Sequence, residues 1–215
     1  MDFLNIVSLF LFLCLFFNSL NLKIMLFRNW LGVKIAVYYE SLCPDSKKFI
    51  TTQLAPVWKD LRGAVKVKLV PYGKATHNKV DGKWQFTCHH GQEECNGNKI
   101  QACILKDNLL GDSEKVDIIV CLMGQANPDK SLETCLQQAR RSDELTKLKN
   151  CSEGVQGENL LATFGDKTDA LMKPLSFVPT VVINEKFDQV IQDESFTNLK
   201  GVICRVATKK PEICN

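Results

Sequence analysis

The sequence predicts an α/β fold in a single domain. A strand–helix–strand unit comes first, then a helical insertion stapled by disulfides, then a closing strand–strand–helix unit. Three observations carry this. Residues 33–39 (VKIAVYY) and 64–71 (AVKVKLVP) are β-rich runs separated by a helical pattern. Ten cysteines stand in 215 residues, six of them between positions 88 and 151. Val178-Pro179 directly precedes a third β-rich run, Thr180 to Ile183.

The elements follow in order. Residues 33–39 are largely apolar, as a buried strand requires. Ile50, Leu54, Val57, Trp58 and Leu61 then recur on one helical face. Pro44 suits the first turn of that helix. Pro56 lies inside the pattern and is expected to kink it by freeing the Thr52 carbonyl, and Gly63 ends it. Residues 64–71 alternate apolar residues with lysine and read as a second strand, parallel to the first. From Tyr72 to Gln101 no pattern persists. Helical signals resume near Cys103 and run to Leu171, with breaks at Gly111, Asn127-Pro128 and Gly154. The insertion as a whole is placed at about residues 88–172. After the third strand, Asn184-Glu185-Lys186 reads as a turn and residues 187–191 as a return strand. Ser195 is expected to cap a last helix reaching about Ala207. A proline directly before the third strand and a cysteine after the first complete the order of a thioredoxin-like fold, in one domain over residues 31–215.

Residues 6–17 (IVSLFLFLCLFF) form an apolar stretch followed by Asn18-Ser19. It is short for a bilayer span and reads as the core of a secretory signal peptide over about residues 1–20. An uncleaved signal anchor is the alternative. No later segment is long and apolar enough to cross a membrane, so the mature form is expected to be free of one. The net charge of +3, without a basic block, gives no reason to expect a nucleic-acid partner. Export makes disulfides the expected state of the cysteines. With Cys14 in the leader, nine remain. An odd number leaves one thiol free or joined to another molecule. Cys204 and Cys214 are close enough in sequence to pair.

Cys43 stands where the first strand gives way to the first helix, in Ser41-Leu42-Cys43-Pro44-Asp45-Ser46. Unpaired N–H groups and the helix dipole favour an anionic sulfur there, and the thiolate is the form that attacks a disulfide. Lys47 and Lys48 add to this if they face the sulfur, while Asp45 opposes it. In a Cys-x-x-Cys site the second sulfur, one turn on, releases the mixed disulfide. Here that position is Ser46. The bland alternative is a cysteine that packs in a turn or pairs with another. Pro179 bears on the choice. In the thioredoxin fold this proline is cis and faces the reactive cysteine, and the backbone before it pairs with an extended substrate.

Residues 88–103 read CHHGQEECNGNKIQAC. Cysteine and histidine together raise the question of zinc. The intervals of seven and eight residues are unlike the tight Cys-x(2–4)-Cys pairs of zinc sites, so disulfides are the expectation and no metal is expected. His90 reads as a hydrogen-bonding loop residue. The segment resembles the signature of the gamma-interferon-inducible lysosomal thiol reductases, Cys-Gln-His-Gly-x-x-Glu-Cys-x-x-Asn-x(4)-Cys. Cys88, His90, Gly91, Glu94, Cys95, Asn98 and Cys103 stand at the matching positions, and only the glutamine position departs, as His89. The strand before Cys43, LVPYGKA (residues 69–75) and FVPT (residues 177–180) fall in the family's order.

The resemblance implies a thioredoxin-like fold and reduction of protein disulfides in the endosomal or lysosomal lumen or outside the cell. It places the nucleophile on Cys43. Ser46 replaces the resolving cysteine, which implies a monothiol route with an external small-molecule or protein thiol as reductant and no bound cofactor. The free thiol is then Cys43. Cys88, Cys95, Cys103, Cys121, Cys135, Cys151, Cys204 and Cys214 become four structural bridges whose pairing is open. Asn150-Cys151-Ser152 is formally a glycosylation sequon. The competing reading, motivated by Ser46, is a secreted, disulfide-stapled binding protein on a reductase scaffold with little or no turnover.

Overall fold

The computed structural model describes residues 32–127 and 129–214. The expected signal segment lies outside these residues. Strand β1 (Val33–Tyr39) leads to helix α1 (Pro44–Phe49), a π-helical turn (Ile50–Leu54) and α2 (Ala55–Leu61), then to β2 (Val65–Pro71). Pro56 is accommodated without a break: the turn ahead of it widens to π geometry and the helix continues.

β1 is the middle strand of a three-stranded sheet in the order β2-β1-β5, with β5 spanning Thr180–Ile183. It runs parallel to β2 and antiparallel to β5. A central strand is covered on both faces, which explains its apolar run. Val33, Ile35, Val37 and Tyr39 enter one cluster with Phe49, Ile50, Leu54 and Trp58. Tyr38 enters a second with Val70, Val182, Leu161 and Phe164. The register sets Tyr38 opposite Thr180 and Tyr39 opposite Pro71. Because β5 is antiparallel to β1, the residues just before β5 sit at the same sheet end as those just after β1.

Between β2 and β5 the chain first makes a hairpin, β3 (Thr76–Val80) and β4 (Lys83–Thr87), in a separate two-stranded sheet. Asp81 (φ 48°) and Gly82 (φ 77°) supply the left-handed turn. Five helices follow: α3 (Gln92–Lys106), α4 (Asp112–Met123), α5 (Leu132–Gln138), α6 (Leu145–Glu153) and α7 (Val155–Leu171). α3 packs on both α6 and α7. Bridges Cys103–Cys151 and Cys121–Cys135 tie α3 to α6 and α4 to α5.

Two expectations fail after β5. No return strand forms: Ile183 and Lys186 make an isolated bridge, and α8 (Gln189–Val206) begins at once. The cap is Asp188, whose carboxylate accepts the Ile191 N–H at 3.0 Å, not Ser195. Ser195 lies inside α8, where its hydroxyl donates to the Ile191 carbonyl. An aspartate three residues before an unpaired N–H is the stronger start signal, and it converts residues 187–191 from strand to helix entry.

The bridge Cys103–Cys151 spans 48 residues and Cys204–Cys214 spans 10. Loop-closure entropy alone makes the longer bridge worth about 1.4 kcal/mol more. Urea unfolding of the two serine double variants is expected to show the larger loss for the Cys103/Cys151 pair.

Candidate active site

Cys43 is the N-cap residue of α1 and accepts the Lys47 N–H through its carbonyl. Among the described cysteines it is the free one; the other eight form Cys88–Cys95, Cys103–Cys151, Cys121–Cys135 and Cys204–Cys214. Its residue exposure is 6%, and it shares a cluster with Tyr38, Tyr72, Cys88, Cys95, Leu175 and Val178. The pairing of Cys88 with Cys95 removes the cysteine–histidine zinc reading.

The segment from β1 to Cys43 is held by partners far along the chain. The Ser41 N–H donates to Asn98 Oδ1 at 2.9 Å, and the Ser41 hydroxyl donates to the Glu94 carbonyl at 3.1 Å. α3 comes close enough for this because residue 97 is glycine: a Cβ there would sit 2.5 Å from Ser41 Oγ. Asn98 Nδ2 is buried with no hydrogen-bond partner among the described residues. The Glu40 N–H donates to the hydroxyl of fully buried Ser46 at 3.3 Å. Ser46 therefore serves as an acceptor for the loop before Cys43, and its own proton remains to be donated. Lys47 does not extend toward open solvent. Its ammonium binds the Gln125 and Ala126 carbonyls beyond α4.

Sequence reasoning missed Glu40, a fully buried carboxylate three residues before Cys43. Oε1 accepts the Lys74 N–H at 2.7 Å, while Oε2 lies 3.3 Å from His89 Nδ1 and 3.4 Å from His90 Nδ1. Gly73, at φ +63°, leaves room for it, since a Cβ there would overlap Glu40 Cγ. Buried Glu94 accepts the His90 N–H at 3.1 Å and holds His90 Nδ1 at 2.6 Å. His90 is thus a hydrogen-bonding loop residue, and Glu94 is its partner. Glu40, His89 and His90 also bring three possible ligand atoms within 4.8 Å of one another. Burial pushes the Glu40 carboxyl above its usual range; the Lys74 N–H opposes this, and the nearby Glu94 charge adds to it.

The Val178–Pro179 peptide is cis. The loop carrying it is fixed by Gln192 of α8, which donates to the Pro179 carbonyl at 2.9 Å and accepts the Val181 N–H at 2.6 Å. The Thr180 hydroxyl donates to the Phe177 carbonyl. Phe177 meets Phe196 edge-on at 5.6 Å, and Phe196 meets Phe49 at 5.6 Å. One aromatic file therefore joins the proline loop, α8 and the helix that starts at Cys43. Beside this end of the sheet, a cavity of about 520 Å³ is lined by Tyr72, Lys74, His77, Asp169, Lys173 and Leu175, among others. Asn150, elsewhere, is exposed on α6, next to the bridged Cys151.

The raised Glu40 value makes a stability prediction. The folded state holds this proton more tightly than the unfolded chain, so Glu40 contributes most at low pH and its contribution is lost as pH rises through the raised value. Glu40→Gln removes that titration. In chelator-treated buffer, denaturant titrations are expected to show stability of the variant relative to wild type increasing from about pH 4.5 toward neutrality. A difference independent of pH would contradict the assignment.

Residues 34–139 match the family described as gamma interferon inducible lysosomal thiol reductase (GILT). The chain is 39% identical over 197 residues to GILT-like protein 1 of Drosophila melanogaster, covering 85% of this chain and 78% of that one. It is 35% identical over 185 residues to the gamma-interferon-inducible lysosomal thiol reductase of Mus musculus, covering 85% and 72%. The fold resembles BdbD from Bacillus subtilis, with TM-score 0.57, 16% identity, and 80% and 85% of the two chains covered. DsbA of Chlamydia trachomatis gives TM-score 0.55 at 15% identity, over 81% and 84%. This chain carries a thioredoxin-like fold with a helical insertion and belongs to the gamma interferon inducible lysosomal thiol reductase family, whose members are oxidoreductases acting on sulfur groups.

Proposed function

We propose that the chain reduces protein disulfides by a monothiol route through Cys43, in the endosomal or lysosomal lumen or outside the cell. The observation that carries this is the cysteine inventory. Eight described cysteines are bridged, and the free one caps the helix that starts after the central strand. The bridges suit an oxidising compartment, and exposed Asn150 would there be a glycan acceptor. The loop before β5 lies at the same sheet end, and in this scheme the Val178 backbone pairs with an extended substrate.

The reaction runs in three exchanges. The Cys43 thiolate attacks one sulfur of the substrate disulfide, forming a mixed disulfide and releasing the other sulfur as a thiolate. An external thiolate then attacks Cys43 Sγ, which frees the second substrate sulfur and leaves Cys43 bound to the reductant. A second external thiolate attacks the reductant's sulfur, restoring Cys43 and giving the oxidised reductant. Two external thiols are consumed per disulfide reduced. Ser46 cannot take the resolving part, because a hydroxyl does not displace a sulfur from a disulfide. In this scheme its role is the one its geometry supports: it accepts the Glu40 N–H and fixes the loop before Cys43.

With a model disulfide and added thiol, Cys43→Ser is expected to lower turnover to the uncatalysed level, while far-ultraviolet circular dichroism stays unchanged. Wild-type turnover is expected to vanish when the thiol is omitted. Undiminished activity in Cys43→Ser would refute the assignment. Ser46→Cys is expected to form a bond with Cys43, seen as the loss of two hydrogens by mass spectrometry, and to raise multiple-turnover reduction. No gain despite that bond would place the limit at substrate presentation.

A further inference from the structure

The side chains of Glu40 and Glu94 are both fully buried, and the ion-pair partners recorded for them are His89 and His90. Two carboxylates taken out of water in one place keep a proton, as burial favours for Glu40, or take compensating positive charge. The distances suggest what supplies it. Glu40 Oε2 stands 3.3 Å from His89 Nδ1 and 3.4 Å from His90 Nδ1. Both exceed the usual N–H···O range of about 2.7–3.2 Å. They match the ligand–ligand edge of about 3.3–3.4 Å expected for a tetrahedral ion with bonds near 2.0–2.1 Å. All three donor atoms fall within 4.8 Å of one another.

We infer that Glu40, His89 and His90 form a binding site for a divalent first-row ion of the zinc type. One carboxylate and two imidazoles are the donor set that such ions favour over calcium or magnesium. Glu94 Oε2, 2.6 Å from His90 Nδ1, supplies a fourth ligand, an oxygen, once it draws back to an edge distance. Each imidazole ligates through Nδ1 as the neutral ring with its proton on Nε2; a ring that starts as imidazolium gives its Nδ1 proton to solvent on binding. Solvent reaches the site from the histidine side, where the side chains of His89 and His90 are 53% and 32% exposed. The Lys74 N–H on Glu40 Oε1 and the His90 N–H on Glu94 Oε1 hold the carboxylates as outer partners. The second imidazole comes from His89, the position at which this chain departs from the signature it otherwise matches. The inference does not depend on the role given to Cys43.

The test is calorimetric titration of the intact, disulfide-bonded chain with zinc chloride, beside His89→Gln. His89 is exposed, so its replacement is expected to leave the fold intact. The expected result is one zinc per chain and at least a tenfold loss of affinity in His89→Gln. Cobalt(II) is expected to give a visible absorption band without thiolate-to-metal charge transfer. Absence of stoichiometric zinc binding overturns the proposal, as does equal affinity in His89→Gln. A thiolate band also overturns it, by placing the ion on Cys43.

Discussion

Residues 40–43 join the central strand to the first helix, and side-chain and backbone groups 34 to 57 positions away fix their path. Asn98 takes the Ser41 N–H, the Glu94 carbonyl takes the Ser41 hydroxyl, and Glu40 is enclosed by Lys74, His89 and His90. Without these contacts the segment would be a short loop with unpaired polar groups beneath a helical layer, a costly arrangement for a buried backbone. With them, Cys43 has a defined place at the start of α1. The bridge Cys88–Cys95 encloses the segment that carries the two histidines and Glu94. That bridge is thus part of the support for the thiol as well as of the fold.

The second support reaches Cys43 from the opposite side of the sequence. β5 must run antiparallel to β1 for its first residues to sit beside the end of β1. Gln192 then holds the cis-proline loop to α8, and the Phe177–Phe196–Phe49 file ties that loop back to α1. Three segments distant in sequence are therefore packed into one arrangement before any substrate arrives. Such preorganisation favours chemistry by a single group, since the geometry need not be assembled during the reaction. It also gives Ser46 a function of its own, as the acceptor that closes the turn between Glu40 and α1.

Much of this was legible in the sequence, for identifiable reasons. The βαβ unit was legible because β1 is buried on both faces and the following helix on one, so periodicity carried the signal. Cys43 was legible from its place at a strand–helix junction. The hairpin β3–β4 was passed over because most of its residues are exposed and its strands have no core to pattern them. Its one local signal was Asp81-Gly82, whose positive φ angles make the turn. The return strand expected at residues 187–191 yielded to Asp188, a helix cap that outweighs a short apolar run. Glu40 carried no signal: a glutamate after a strand reads as solvent-facing. Only the folded chain brings it against Gly73 and the two histidines.

The proposed first attack on a disulfide by the anchored thiol of Cys43 is read out by trapping. The native chain is mixed with a disulfide-containing protein, quenched in acid before resolution, and mapped by non-reducing peptide mass spectrometry. The expected product is a mixed disulfide at Cys43 alone, with all four native bridges intact. A substrate adduct on Cys88, Cys95 or any other bridged cysteine, or no adduct at Cys43, would contradict it.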